Sequence, residues 1–184
     1  MSAQNRGFTL VELLVVISII AILSVIGITV FTGVQKGARN TKRISDMRAI
    51  VLALEQYYNN PVNNFQYPNP GGGWRSECNA WGGYTSDQVI PGLAPNYLAS
   101  FPSDPRMDKT NSTSCYLYQS NGTDYTLLDH NIEEFINSRS DYVGYKPFID
   151  PTRDGGPDGC AVDYNPSSPN IWSWKRSSPG GRCW

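Results

Sequence analysis

The sequence predicts an α+β chain in which one long N-terminal α-helix packs on a small antiparallel β-sheet head. Three observations carry this. Residues 8–31 are almost unbroken Val, Ile, Leu, Ala and Phe, and at 1.5 Å per residue about 24 helical residues span a hydrocarbon core of ~30 Å. Ile44, Met47, Val51, Leu54 and Tyr58 then recur at spacings of three and four, which places them on one helix face. Finally, two β-prone runs at 115–119 and 124–128 flank Asn121-Gly122, a dipeptide suited to a hairpin turn. The organisation expected is a leader at 1–7, a membrane-spanning helix at 8–31, its amphipathic continuation at 32–60 and a globular head at 61–184.

The apolar run is read as a retained anchor. A secretory signal peptide would be followed by a small-residue cleavage site, whereas this run flows through Gly27 and Phe31 into a polar helical segment. Glu12 lies within it, and an acidic side chain in a bilayer costs roughly 2.5–3.5 kcal/mol, which marks it as a functional residue. Lys36, Arg39, Lys42, Arg43 and Arg48 follow the run, against Arg6 alone before it, so charge bias by itself would leave the C-terminal side in the cytoplasm. The cysteines argue for an exported head instead. Gly27, Gly33 and Gly37 each cost about 1 kcal/mol relative to Ala in a helix. Asn59-Asn60-Pro61 ends it, because Pro lacks the N–H donor and restricts the residue before it.

Beyond the helix the chain is polar and turn-rich. Residues 61–114 read as a long connection punctuated by Pro and Gly, with brief helices over 86–90 and 94–99. Residues 142–149 and 171–175 are further strand candidates. Cys78, Cys115, Cys160 and Cys183 all follow the anchor without C-x-x-C spacing, so two disulfides formed in an oxidising compartment explain them better than zinc. Of three connectivities, nearest-neighbour pairing joins Cys78 to Cys115 and Cys160 to Cys183.

Nothing in the head spells out catalysis. His130 sits beside Asp129 with no nucleophile elbow or zinc spacing and reads as a surface turn residue. Trp172, Trp174 and Trp184 are candidates for an exposed binding platform, although strand aromatics more often pack inward. Asp150, Asp154 and Asp158, with Asp163, could supply oxygen ligands to Ca²⁺ from tight glycine turns, and Asp-Gly is equally the chemistry of a plain turn. The net charge of −1 divides into a basic stalk and an acidic head, which suits subunit complementarity rather than nucleic acid.

Gly7-Phe8-Thr9-Leu10-Val11-Glu12-Leu13 resembles the N-terminus of the type IV pilin family, which includes the type II secretion pseudopilins. The resemblance implies that a prepilin peptidase cuts between Gly7 and Phe8 and methylates the new amine. It implies a precursor held in the cytoplasmic membrane with its head outside, and assembly with identical or related pilin subunits on a pilus assembly platform. Glu12 would lie one helical turn from the Phe8 amine and could neutralise it or that of an incoming neighbour. The function expected is a structural subunit of a type IV pilus or related cell-surface filament. A type II secretion pseudopilin is the alternative, set second because two disulfides suit an exposed filament. A membrane-tethered binding protein that borrows the anchor is a third reading. Some pseudopilins hold calcium in the head, so the resemblance keeps Ca²⁺ open.

Overall fold

The computed structural model describes residues 9–130, 132 and 173–184, with residues 26–30 described as helical backbone only. The chain divides into two units, Met1–Thr41 and Lys42–Trp184.

One helix, α1 (Leu10–Tyr58), runs without a break through Gly27, Gly33 and Gly37. A Cβ added at Gly33 or Gly37 would meet nothing within 4 Å, so neither glycine is a site of close packing within the chain. In the first unit the side chains of residues 10–25 stand exposed, Leu10 at 79% and Val25 at 64%. Among the described residues no helix is long and apolar enough to cross a membrane. Residues 10–25 are about 24 Å of helix, while the apolar run of the sequence reaches from Phe8 to Phe31.

In the second unit α1 presents Arg43, Met47, Ile50 and Leu54 as its most buried line, each 0% exposed. The expected face does pack inward, with Ile44, Val51 and Tyr58 half-buried against the core beside Met47 and Leu54, and Arg43 joins the buried line. Hydropathy cannot place an arginine inside, and its inward position depends on acidic partners far away in sequence. The helix ends at Tyr58, and Pro61–Asn63 forms a 3₁₀ turn capped by the Asn60 side chain on the Val62 N–H.

The sheet has three antiparallel strands in the order β1 (Cys115–Ser120), β2 (Tyr125–His130) and β3 (Ser173–Ser177). β1 and β2 form the expected hairpin, Cys115 opposite His130 and Ser120 opposite Tyr125. Gly122 at its tip takes φ +93°, a value favoured by glycine's missing Cβ. β3 pairs with β2, Thr126 opposite Ser177. The outer edge of β1 is partly covered, because Arg75 exchanges both backbone hydrogen bonds with Tyr118 at 2.9 Å. Tyr116, Tyr118, Tyr125, Leu127 and Trp174 pack with Met47, Ile50, Ala53 and Leu54 in the main core.

The connection forms α2 (Ser86–Val89) near where a brief helix was expected, opened by a capping box between Thr85 and Gln88. Residues 94–99 form turns and not the second expected helix: Leu93 O accepts from both Tyr97 N and Leu98 N, and Pro95 brings no donor. A second apolar cluster gathers Cys78, Cys115, Leu117 and Leu128 under Trp74, Trp81 and Met107. The strand expected at 142–149 lies outside the described residues.

Candidate functional site

At the start of α1, Thr9 and Glu12 close on one another. The Thr9 N–H and hydroxyl both donate to Glu12 Oε2, at 2.8 and 2.7 Å, and the Glu12 N–H donates to Thr9 Oγ1 at 3.2 Å. This is a capping box, in which two side chains satisfy amide hydrogens that a helix start leaves unpaired. Thr9-x-x-Glu12 announced it, and a reading of Glu12 solely as a membrane-embedded charge overlooked that signal. Among the described residues nothing donates to Oε1, so one carboxylate oxygen remains available at the helix tip. Gly7 and Phe8, the expected processing residues, lie outside the described residues.

From Glu12 onward the exposed side chains are Leu13, Leu14, Val15, Val16, Ile17, Ile19 and Ile20, a surface with no partner in the first unit. Such a continuous apolar surface calls for lipid or other protein around it. Ser18 and Ser24 turn their hydroxyls back onto Leu14 O and Ile20 O at 2.7 Å, which satisfies polar atoms within the helix.

The head contains a buried charge cluster. Asp104 grips Arg43 with both oxygens, Oδ1 at 3.1 Å from Nη2 and Oδ2 against Nε, and Oδ1 also accepts the Arg106 N–H at 2.7 Å. Asp129 Oδ2 stands 3.5 Å from Arg43 Nε, yet neither Asp129 oxygen has a hydrogen-bond donor. All three side chains are fully buried. Burial and then the neighbouring Asp104 charge push the Asp129 carboxyl well above the usual carboxylate range, against an opposing pull from Arg43. Nearby, Lys42 and Asp46 pair along the helix at 2.8 Å, and the Tyr116 hydroxyl donates to Asp46 at 3.3 Å.

Cys78 and Cys115 are joined, with Cα atoms 6.3 Å apart. Cys183 is also disulfide-bonded; its partner, like Cys160, lies outside the described residues. His130 ends β2 with its ring 4.6 Å from that of Trp81, and not in a turn as expected. Of the three tryptophans, Trp174 packs into the core, as strand aromatics more often do, Trp184 is half-buried, and Trp172 lies outside the described residues. Asp150, Asp154, Asp158 and Asp163 are outside them too, and among the described residues no acidic, His or Cys side chains gather as a metal site.

The described residues thus hold a long helix whose first sixteen positions are exposed and mostly apolar, and a small three-stranded antiparallel sheet. Residues 2–28 match the family model described as the prokaryotic N-terminal methylation motif. The chain is 33% identical over 107 residues to the type II secretion system core protein G of Escherichia coli (strain K12), covering 55% of this chain and 67% of that protein. It is 28% identical over 126 residues to the protein of the same name from Pectobacterium carotovorum subsp. carotovorum, covering 68% of each. With that of Klebsiella pneumoniae it shares 29% over 102 residues, 55% of this chain and 69% of the relative. No solved structure matches. The chain belongs to the type IV pilin and type II secretion pseudopilin family, and it is a pilin-like filament subunit.

Proposed function

We propose that this chain is the repeating structural subunit of a secretion-type pseudopilus, inserted as a membrane prepilin and assembled through its N-terminal helix. The carrying observation is that the likeness to core protein G spans 107 residues, more than the methylation motif at 2–28 and the rest of the long helix together hold, so it extends into the head. This favours the pseudopilin reading over a type IV pilus. Family membership supports a structural rather than catalytic role. The precursor would sit in the cytoplasmic membrane with its disulfide-bonded head outside, and processing would fall between Gly7 and Phe8.

Glu12 supports a definite assembly step. Its Oε2 caps its own helix through Thr9, while Oε1 is uncommitted among the described residues. An incoming subunit's N-terminal amine can therefore be neutralised without dismantling the cap. In a low-dielectric surrounding an unpaired charge is costly, so this pairing would select one axial register among those the apolar side chains allow. The test has two parts. Mass spectrometry of assembled material should find Phe8 with a methylated amine as the first residue. Glu12→Ala should leave insertion and head folding intact while sheared filaments fall several-fold. Filaments of normal abundance and subunit spacing from the Glu12→Ala strain would refute the assembly role.

A further inference from the structure

The head carries an open cavity of about 450 Å³ between the tip of the β1–β2 hairpin and the loop before it, lined among others by Asn69, Gln119, Asn121 and Trp184. Among the described residues no charged side chain lines it, and its polar side chains are three carboxamides and the Ser120 hydroxyl, which is turned onto Asp124 O at 2.8 Å.

Two of these carboxamides are oriented by the backbone. Asn69 Oδ1 accepts the Gly71 N–H at 2.9 Å, and Asn121 Oδ1 accepts the Thr123 and Asp124 N–H groups at 2.9 and 2.8 Å. Each oxygen is thereby occupied while each Nδ2 keeps its two hydrogens for something else. Gln119 projects from a paired strand, half-buried, with no hydrogen bond from its amide in the described structure. Gly71 and Gly72 contribute no side chains, and a Cβ at either would meet nothing within 4 Å, so the opening beside them stays clear.

Trp184 supplies the apolar wall, and it is held from behind. The buried Lys175 donates to the Trp184 carbonyl oxygen at 2.8 Å and to that of Arg182 at 2.7 Å. Gly181 binds Ser178 O, and Thr126 Oγ1 donates to Gly181 O, which ties the segment to the sheet. A tryptophan whose backbone is tied to the sheet, together with donors held on a paired strand and tight turns, is preorganised for a ligand, so little ordering would be needed on binding.

We propose that this cavity binds a neutral saccharide. The volume lies within the range of small-molecule sites. A pyranose offers what the lining requires: a C–H face for the indole, hydroxyls that accept from three carboxamides, and no charge to desolvate. An acidic or basic ligand would find no counter-charge there.

The test uses the full chain in micelles of a non-glycosidic detergent, with cellobiose, maltose and N,N′-diacetylchitobiose as probes and saturation-transfer NMR as the readout. At least one disaccharide should receive saturation, with an affinity near the millimolar range. Trp184→Leu should weaken it about ten-fold and Gln119→Leu about three-fold, with the unfolding midpoint measured alongside. Should Trp184→Leu lose its cooperative transition, Gln119→Leu decides, because its amide makes no hydrogen bond among the described residues. No saturation of any of the three sugars, unchanged affinity in Gln119→Leu, or saturation of an uncharged capped tripeptide in place of the sugars would each overturn the proposal.

Discussion

Replacing Asp129 by Asn should make the head more stable at neutral pH, although it removes a buried charge near an arginine. Arg43 is already held by both oxygens of Asp104, so Asp129 faces a guanidinium whose charge is taken. Two buried carboxyl groups beside one cation are most stable with one proton between them, and the Asp104–Asp129 contact becomes a hydrogen bond only if a proton is present. Asp46, itself paired with Lys42, adds a further negative potential that raises the Asp129 carboxyl. Because the folded carboxyl is raised above its unfolded value, folding takes up a proton. This contribution is fully present below the unfolded pKa and is lost as pH rises through the folded one. For one proton the slope is about 1.4 kcal/mol per pH unit. Asn cannot titrate, and its Nδ2 offers Asp104 the donor that a carboxylate lacks. The stability difference, Asp129→Asn minus wild type, should therefore climb from roughly pH 4 at about that slope and level off above the folded pKa. Urea unfolding of the full chain, followed by tryptophan fluorescence across pH 4.5–8.5, measures this. A variant less stable than wild type at every pH, by a constant amount, would show that Asp129 is ionised and serves as a true partner of Arg43.

Two further outcomes test the head. A Cβ at Gly181 would overlap the Tyr125 carbonyl oxygen of β2 and crowd Thr126 Oγ1 at 3.0 Å, so Gly181→Ala should destabilise by about 1–3 kcal/mol or more in urea unfolding and loosen Trp184. A wild-type midpoint would mean that this segment yields freely. Opening the 37-residue loop with Cys78→Ser and Cys115→Ser together should cost about 3–4 kcal/mol, with the second cluster around Leu117 and Leu128 losing its centre. A loss below about 1 kcal/mol would show that this cluster holds without the bridge.

The parts legible in the sequence were those with local signals. The mostly apolar stretch at 10–25 and the Pro61 stop delimit α1, and Asn121-Gly122 between β-prone runs gives the hairpin. The apolar spacing found residues of α1 that meet the core, Met47 and Leu54 fully buried and Ile44, Val51 and Tyr58 half-buried, but not that the line packing deepest begins with Arg43. Glu55 is half-buried and accepts the Tyr67 hydroxyl at 3.0 Å, a contact set by the fold of the connection that no local signal announces. The saccharide cavity was invisible for the same reason, since Asn69, Gln119 and Trp184 meet only once the sheet has formed.

Arg43 also changes how the basic run after the anchor is to be read. Counted along the sequence, Lys36, Arg39, Lys42, Arg43 and Arg48 look like one topological signal opposed to an exported head. The three that fall in the second unit are different things. Arg43 is a core residue neutralised by Asp104, Lys42 is paired with Asp46 one turn along, and Arg48 is exposed. Charge bias acts on the chain as it is inserted, whereas Arg43 is fixed by what the finished head requires. A single acidic pair brought from residues 104 and 129 therefore explains a positive charge that a count of loop charges assigns to the membrane surface.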